Sequence, residues 1–316
     1  MKKLLSALLA ALSAAAGAQD YPARDIHSIC NFAAGSGADI VVRYYSDRLS
    51  RLTGKPVVVE NKPGAQGVVA NDFVAKARPD GYTILITPAS STLAAAPHIF
   101  KTLPYDPVKD FAPVATLLTL SFTIAVAPDS PVRTVQDLVA RLKGKAGHGF
   151  YATLSNSGQV AAELFKEGAG LKTVYVPFKV TGDAFANLLS GNVDFMSVDS
   201  TWSATMHPQR VRIVAVTSAK RNASLPDVPT LAEGGFGDID VAPWWGVLVP
   251  AATPRPIVER LAGWFNEINQ DAETRQFLAR QAAEAFPGGP EFMAKLLKTE
   301  IERWGRYVKL AKIEPQ

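Results

Sequence analysis

The 316-residue chain is poor in the features that would commit it to many functions. It has one cysteine, Cys30, so no intramolecular disulfide can form. Placed between Ile29 and Phe32, that thiol reads as a small core residue. It also lies too far from the N-terminus to be a lipidation site. No block of five or more like charges occurs, which excludes a charged interaction tail. Beyond the first 18 residues there is no apolar run near twenty residues, so no membrane span is expected. Internal repeats and low-complexity segments are absent. The four histidines, His27, His98, His148 and His207, are scattered without metal-ligand spacing, and no metal or cofactor is expected. No Gly-x-Ser-x-Gly elbow and no Walker loop is found. The Gly35-Ser36-Gly37 pattern lacks the third glycine of a dinucleotide fingerprint.

What is present begins with an export signal. Lys2 and Lys3 precede the apolar stretch Leu4–Ala15, and Ala16-Gly17-Ala18 supplies a small-x-small cleavage pattern. Residues 1–18 are read as a signal peptide, with Gln19 as the first mature residue and the periplasm as destination. Removing Lys2 and Lys3 leaves 31 basic against 29 acidic side chains, a net charge of +2. That near-balance argues against nucleic acid as a partner, because phosphate binding needs a concentrated basic face.

Short apolar runs alternate with amphipathic stretches, which predicts an α/β architecture. Candidate strands are Ile26–Phe32, Val57–Glu60, Thr83–Thr87, Val114–Leu118, Phe122–Ala127, His148–Ala152, Thr173–Pro177, Phe195–Val198, Val211–Thr217 and Gly246–Pro250. Helical spacing occurs in Ile40–Leu52, Gly67–Ala77, Val135–Leu142, Gln159–Gly168 and Asp183–Leu189. The last part of the chain reads as helical, over Pro256–Gln270, Ala272–Glu284 and Pro290–Ala311. This order suggests two lobes: 19–119 with 246–316, and 120–245, with hinge crossings near 119–121 and 241–245.

Three loops at predicted strand ends carry the candidate binding groups. Phe32-Ala33-Ala34-Gly35-Ser36-Gly37-Ala38-Asp39 joins a strand to a helix and offers backbone N–H groups at a helix N-terminus, a ready anion site. An ordinary βα turn, with Asp39 supporting the helix start, is the bland alternative. Thr87, Ser90 and Ser91 crowd hydroxyls after the strand Thr83–Thr87, where ligands of open α/β sheets bind; a capping and turn cluster is the alternative. Thr153, Ser155, Asn156, Ser157 and Gln159 repeat the small polar pattern before a second helix. Phe178 could wall a pocket and Lys179 neutralise an acid, while Asp199 could accept from a solute amine or hydroxyl or else cap a loop. Trp202 could form a further wall, and Trp244 and Trp245 fit hinge and core.

Several stretches, taken in order, resemble the Bug-type solute receptors of tripartite tricarboxylate transporters. They are Phe32–Val41, Val57-Val58-Val59-Glu60-Asn61-Lys62-Pro63-Gly64-Ala65, Arg78–Thr83, Leu103–Pro107, Asp110-Phe111, Val176–Lys179, Ala215–Ser218, Leu225–Thr230 and Glu302-Arg303-Trp304. The resemblance runs from about Tyr21 to Ile313. It implies a type II periplasmic-binding fold, two α/β lobes closing on a solute held in the cleft between them. It also implies a small carboxylate as ligand and a membrane permease, or a sensor, as partner of a monomeric receptor. Thr153 and Ser155 stand where this family usually has glycines, and Gln159 near a common histidine, so more side chain projects there. An exported hydrolase acting on a small acid is the alternative function, and a structural or adhesive protein the third. N-terminal sequencing of the periplasmic fraction should begin at Gln19; an intact Met1 in cytoplasm would overturn the export reading.

Overall fold

The computed structural model describes residues 21–147, 149–178, 181–205, 209–237 and 239–315. The signal peptide and its cleavage site, Lys179, His148 and His207 lie outside the described residues. The strands are β1 (Ile26–Cys30), β2 (Val57–Asn61), β3 (Thr83–Thr87), β4 (Phe111–Leu120), β5 (Phe122–Val126), β6 (Phe150–Thr153), β7 (Val174–Tyr175), β8 (Phe195–Asp199), β9 (Arg212–Val216), β10 (Trp244–Pro250) and β11 (Ala283–Gly288). The helices are α1 (Gly37–Thr53), α2 (Val68–Ala75), α3 (Ala96–Ile99), α4 (Val135–Gly144), α5 (Asn156–Ala169), α6 (Thr181–Leu189), α7 (Ser200–Thr205), α8 (Arg255–Gln270), α9 (Ala272–Arg280) and α10 (Pro290–Leu310).

The chain divides into two compact units. Unit 1 takes residues up to Leu117, Trp245–Asp271 and Phe286–Ile301; unit 2 takes Leu118–Trp244, Ala272–Ala285 and Glu302–Gln316. The segments 272–285 and 302–316 thus group with unit 2, where the sequence reading put 246–316 with the first lobe.

One sheet has six strands in the order β11-β4-β10-β3-β1-β2, and the other five in the order β7-β6-β8-β5-β9. In the first, β1 runs parallel to β2 and β3, and β10 is antiparallel to β3. The inner strands β1 and β3 are almost wholly buried, as expected where a parallel sheet is covered on both faces. Helix α1 begins at Ser36, whose side chain accepts the Asp39 N–H, and ends at Gly54 in the left-handed region (φ 66°). Its buried stripe Val41, Val42, Tyr45 and Leu49 follows the helical period. Tyr45 meets Phe265 of α8 at 6.5 Å between ring centroids and donates its hydroxyl to Asn269. In unit 2, Tyr151 stacks on Phe195 at 5.3 Å and Phe165 meets Phe195 edge-on, giving that sheet an aromatic core.

The sequence reading carried a helix through Glu284, but the helix stops at Arg280 and β11 follows. Ala282 takes a left-handed φ of 48°, and Ala283–Gly288 joins the edge of the first sheet beside β4. The run Gln281–Ala285 is made of good helix formers, so sheet pairing overrides local propensity here. The short helix α7 and the π-turn Ser90–Ala94 were likewise read as loop.

Two glycines separate packing from flexibility. A Cβ at Gly168 in α5 would overlap the carbonyl oxygen of Phe236, whereas one at Gly263 in α8 would meet nothing within 4 Å. Gly168→Ala should therefore destabilise by about 1–3 kcal/mol through overpacking. Gly263→Ala should stabilise by about 0.5–1 kcal/mol through reduced chain entropy. Denaturant melts of the two variants would check both signs.

Candidate functional site

In unit 1 the parallel run of β1, β2 and β3 brings Asn31-Phe32, Asn61 and Thr87 to one end of the sheet. The N-terminus of antiparallel β10 reaches the same end, where Gly246 pairs with Thr87. A turn closes Ala33 to Ser36 through the Ser36 N–H to Ala33 carbonyl bond of 3.2 Å, with Gly35 at φ 81°. Glycine suits that third turn position because a Cβ disfavours positive φ. The constrained glycine is Gly35; Gly37 is the first residue of α1 and has no positive φ. Ala33, Ala34, Gly35 and Gly37 are exposed, and Phe32, Ser36 and Ala38 half-buried.

Asp39 is 1% exposed and turns back into this loop. It accepts from the Gly35 N–H at 2.8 Å, Arg43 Nε at 2.7 Å and Asn61 Nδ2 at 2.7 Å. Asn61 Nδ2 also donates to the Phe32 carbonyl, and Arg43 to Asn61 Oδ1. Burial alone would raise the Asp39 pKa, but the bonds from Arg43, Asn61 and Gly35 outweigh it and hold it below the usual carboxylate range. Asp39 and the Gly35 amide are thus committed to the loop itself. What the loop offers outward is the Ser36 hydroxyl proton and the first helical amides, Gly37 and Ala38, which have no intrahelical partner.

The second loop of unit 1 is internally bonded. Thr87 is fully buried, with its hydroxyl 2.8 Å from that of Thr92, and Ser90 is 1% exposed. Ser91 keeps some exposure and donates to the Pro88 carbonyl. Phe32 stacks on Trp245 at 6.0 Å and 21° between rings. Trp245, expected from sequence in hinge and core, is buried (6% exposed) and backs the loop through this stack. A lone aromatic pair in sequence carries no signal for such a contact 213 residues away.

Unit 2 builds a similar rim. Strand β6 is parallel to β7 and β8, so Thr153, the segment after β7 containing Phe178, and Asp199 share one end. Ser155 caps α5, accepting the Gly158 N–H at 3.1 Å, and is exposed. Asn156 and Gln159 are half-buried, Ser157 is buried, and Thr153 is buried with its hydroxyl donating to the Ser155 carbonyl. Gly158 is required: a Cβ there would overlap Thr153 Oγ1 and lie 2.9 Å from the Ser197 carbonyl oxygen. Phe178, Leu154 and Trp202 are partly buried against the core of this unit, with Trp202 edge-on to Phe185 at 5.8 Å. Asp199 caps α7 by accepting the Trp202 N–H at 2.8 Å. Burial pushes its pKa up, and the N–H groups of Trp202, Asp199 itself and Thr201 only partly offset this.

Among the described residues no group of three metal-ligating side chains occurs, and no helix is long and apolar enough to cross a membrane.

Residues 41–313 match the model of the tripartite tricarboxylate transporter family receptor. The chain belongs to that family. Solved structures agree. Rpa4515 of R. palustris, determined with adipate, is 30% identical, covers 94% of this chain and 100% of its own, and has a TM-score of 0.83. The periplasmic binding protein BugD is 30% identical, with coverage of 94% and 100% and a TM-score of 0.78. MatC of Rhodopseudomonas palustris, with bound malate, is 28% identical, with coverage of 91% and 100% and a TM-score of 0.77. The fold is that of the periplasmic binding proteins. The family is one of solute-binding receptors, not enzymes, which removes the hydrolase alternative.

The Asp39 network predicts a specific pH dependence. A folded pKa below the unfolded value of about 3.9 stabilises the fold above that value, and the effect is lost as pH falls through the folded pKa. Asp39→Asn should cost about 1–3 kcal/mol near neutrality by leaving buried donors unmatched. The melting-temperature gap between wild type and variant should hold from pH 8 to 6 and narrow below about pH 4. Melts across that range would check it.

Proposed function

We propose that this protein is a periplasmic receptor that captures a small carboxylate-bearing solute for uptake or sensing. The observation that carries the reading is the pair of serine-capped helix starts at strand ends, Ser36 before α1 and Ser155 before α5. Each serine accepts from its own helix and retains a hydroxyl proton to donate. The adipate and malate in the two related structures support a carboxylate as ligand.

In this reading, carboxylate oxygens take N–H groups of Gly37 and Ala38 with the Ser36 hydroxyl in unit 1, and the Ser155 hydroxyl with the Ser157 N–H in unit 2. Phe32 and Phe178 lie against the apolar part of the solute. Ala33, Ala34 and Gly35 keep the approach open, and Asp39, Thr87, Ser90, Ser91 and Thr153 shape the loops from beneath. Asn156 and Gln159 set selectivity, and Asp199 serves chiefly as the α7 cap. Capture between two lobes with closure belongs to the same proposal. So do export after Ala18, a monomeric state, and a permease or sensor as partner. Micromolar affinity corresponds to about 8 kcal/mol, within reach of a few charge-assisted hydrogen bonds after ordering costs.

The test keeps the caps while opposing the ligand. Aspartate is as good an N-cap as serine, but it places a negative charge where the carboxylate would sit. Calorimetric titration with adipate, malate and a panel of acidic amino acids and aromatic acids should identify a ligand recovered chemically unchanged. Ser36→Asp and Ser155→Asp should each weaken it at least tenfold, about 1.4 kcal/mol, with ligand-free melting temperatures close to wild type. Unchanged affinity in both variants would overturn the site.

A further inference from the structure

Unit 2 carries a second concavity at the other end of its sheet. Phe122, at the start of β5, pairs with Asp199 of the candidate rim; Val126, at the end of β5, pairs with Arg212 of β9. Phe122 and Val126 lie four steps apart, roughly 13 Å along the strand. At the far end, a cavity of about 410 Å³ opens between Pro128, Gln209, Val211–Ile213, and the pair Leu225 and Val228. Strand β9 is the outermost of its sheet. Its register against β5 jumps from Ile124–Ala215 to Ala125–Ile213, so Val214 is the extra residue of a bulge. Bulges re-aim side chains at sheet edges.

The electrostatics of this cavity are one-sided. Arg212 Nη1 donates to the carbonyls of Ser130 and Val132, both at 2.8 Å, and Nη2 to that of Pro128 at 2.6 Å. Three carbonyls fix the guanidinium against the wall that Pro128 helps to form. A guanidinium has five N–H donors, and among the described residues these bonds engage three of them. Among the described residues no carboxylate lies within 4 Å of it. The remaining wall is mostly aliphatic: Val211, Ile213, Leu225 and Val228.

We propose that this cavity is a second binding site, for an organic anion with one carboxylate and an apolar body. A fixed guanidinium recognises a carboxylate through paired N–H donors, and the aliphatic wall takes the hydrocarbon. The single cationic group selects a monocarboxylate over the dicarboxylates of the related structures. The volume lies within the usual range for small-molecule sites, 300–1,000 Å³. Because Ser130, Val132 and Pro128 hold the guanidinium without neutralising it, the site is preorganised and its charge remains available.

Hexanoate is the test ligand, with hexanol and hexylamine as six-carbon controls lacking the carboxylate, in calorimetric titration of the mature protein. Hexanoate should bind saturably at one-to-one stoichiometry, and the two controls at least tenfold more weakly. Leu225→Glu places a carboxylate in the wall of the same cavity at a half-buried position and should weaken hexanoate at least tenfold, with a melting temperature close to wild type. Arg212→Lys keeps the charge without the fork and should weaken it less. The Ser36→Asp variant should bind hexanoate as wild type does, which separates this site from the rim of the proposed receptor function. Absence of saturation, equal binding of hexanol, indifference to Leu225→Glu, or loss in Ser36→Asp would each overturn the proposal.

Discussion

The architecture of the unit 1 rim depends on one buried carboxylate. Asp39 draws in donors from three segments: the Gly35 amide of the turn, Arg43 one helical turn on, and Asn61 at the end of the neighbouring strand. Desolvating a carboxylate is expensive unless each lone pair is met. Here the charge is met by a guanidinium, a carboxamide and a backbone N–H, which also fixes where the turn leaves β1. The helix axis, the Gly35 conformation and the Asn61 bond to the Phe32 carbonyl follow from that convergence. An acid that a sequence reader takes for a ligand contact is the reason the contact surface has a shape.

The comparable rim of unit 2 has an acid of its own, Asp199, which caps α7, but its glycine-dependent loop is held in another way. There the loop before α5 is held by Thr153 bonding the Ser155 carbonyl, and by a helix that presses onto β8 because Gly158 has no side chain. The first rim is fixed by charge and the second by steric fit. Electrostatic convergence tolerates small shifts in packing, while close contact at Gly158 tolerates almost none.

The α/β alternation, nearly every strand and helices α1, α2, α4, α5 and α6 are legible because their apolar periods are clear. Thr83–Thr87 matches residue for residue. Strand β11 was not legible, because Ala283-Glu284-Ala285 favours a helix and only pairing with a distant strand makes it extended. At the site, the Ser36 and Ser155 caps could be read from small polar residues before apolar periodicity. The commitment of the Gly35 amide to Asp39 could not, since it depends on a fold-back within one turn. Nor could the burial of Thr87 and Ser90, the first of which pairs its hydroxyl with that of Thr92. Hydroxyl-rich segments look alike in sequence whether they face solvent or themselves. The stacking of Trp245 on Phe32 is equally invisible in sequence, since it exists only once β10 is placed beside β3.

Among the described residues, the donors proposed at the two rims are neutral. The charged groups nearest the unit 1 loop, Asp39 and Arg43, are bonded to each other. What remains is helix-terminal amides and serine hydroxyls, whose dipoles favour an anion without a full opposing charge. A lysine or arginine salt bridge would bind more tightly at low ionic strength, but its strength would fall with salt outside the cytoplasm. Amides held by secondary structure need no reorganisation when the ligand arrives or leaves, and each lost bond is returned to water at a small net cost. A receptor that must release its cargo gains from such donors, since affinity is then set by how many engage together rather than by one dominant contact.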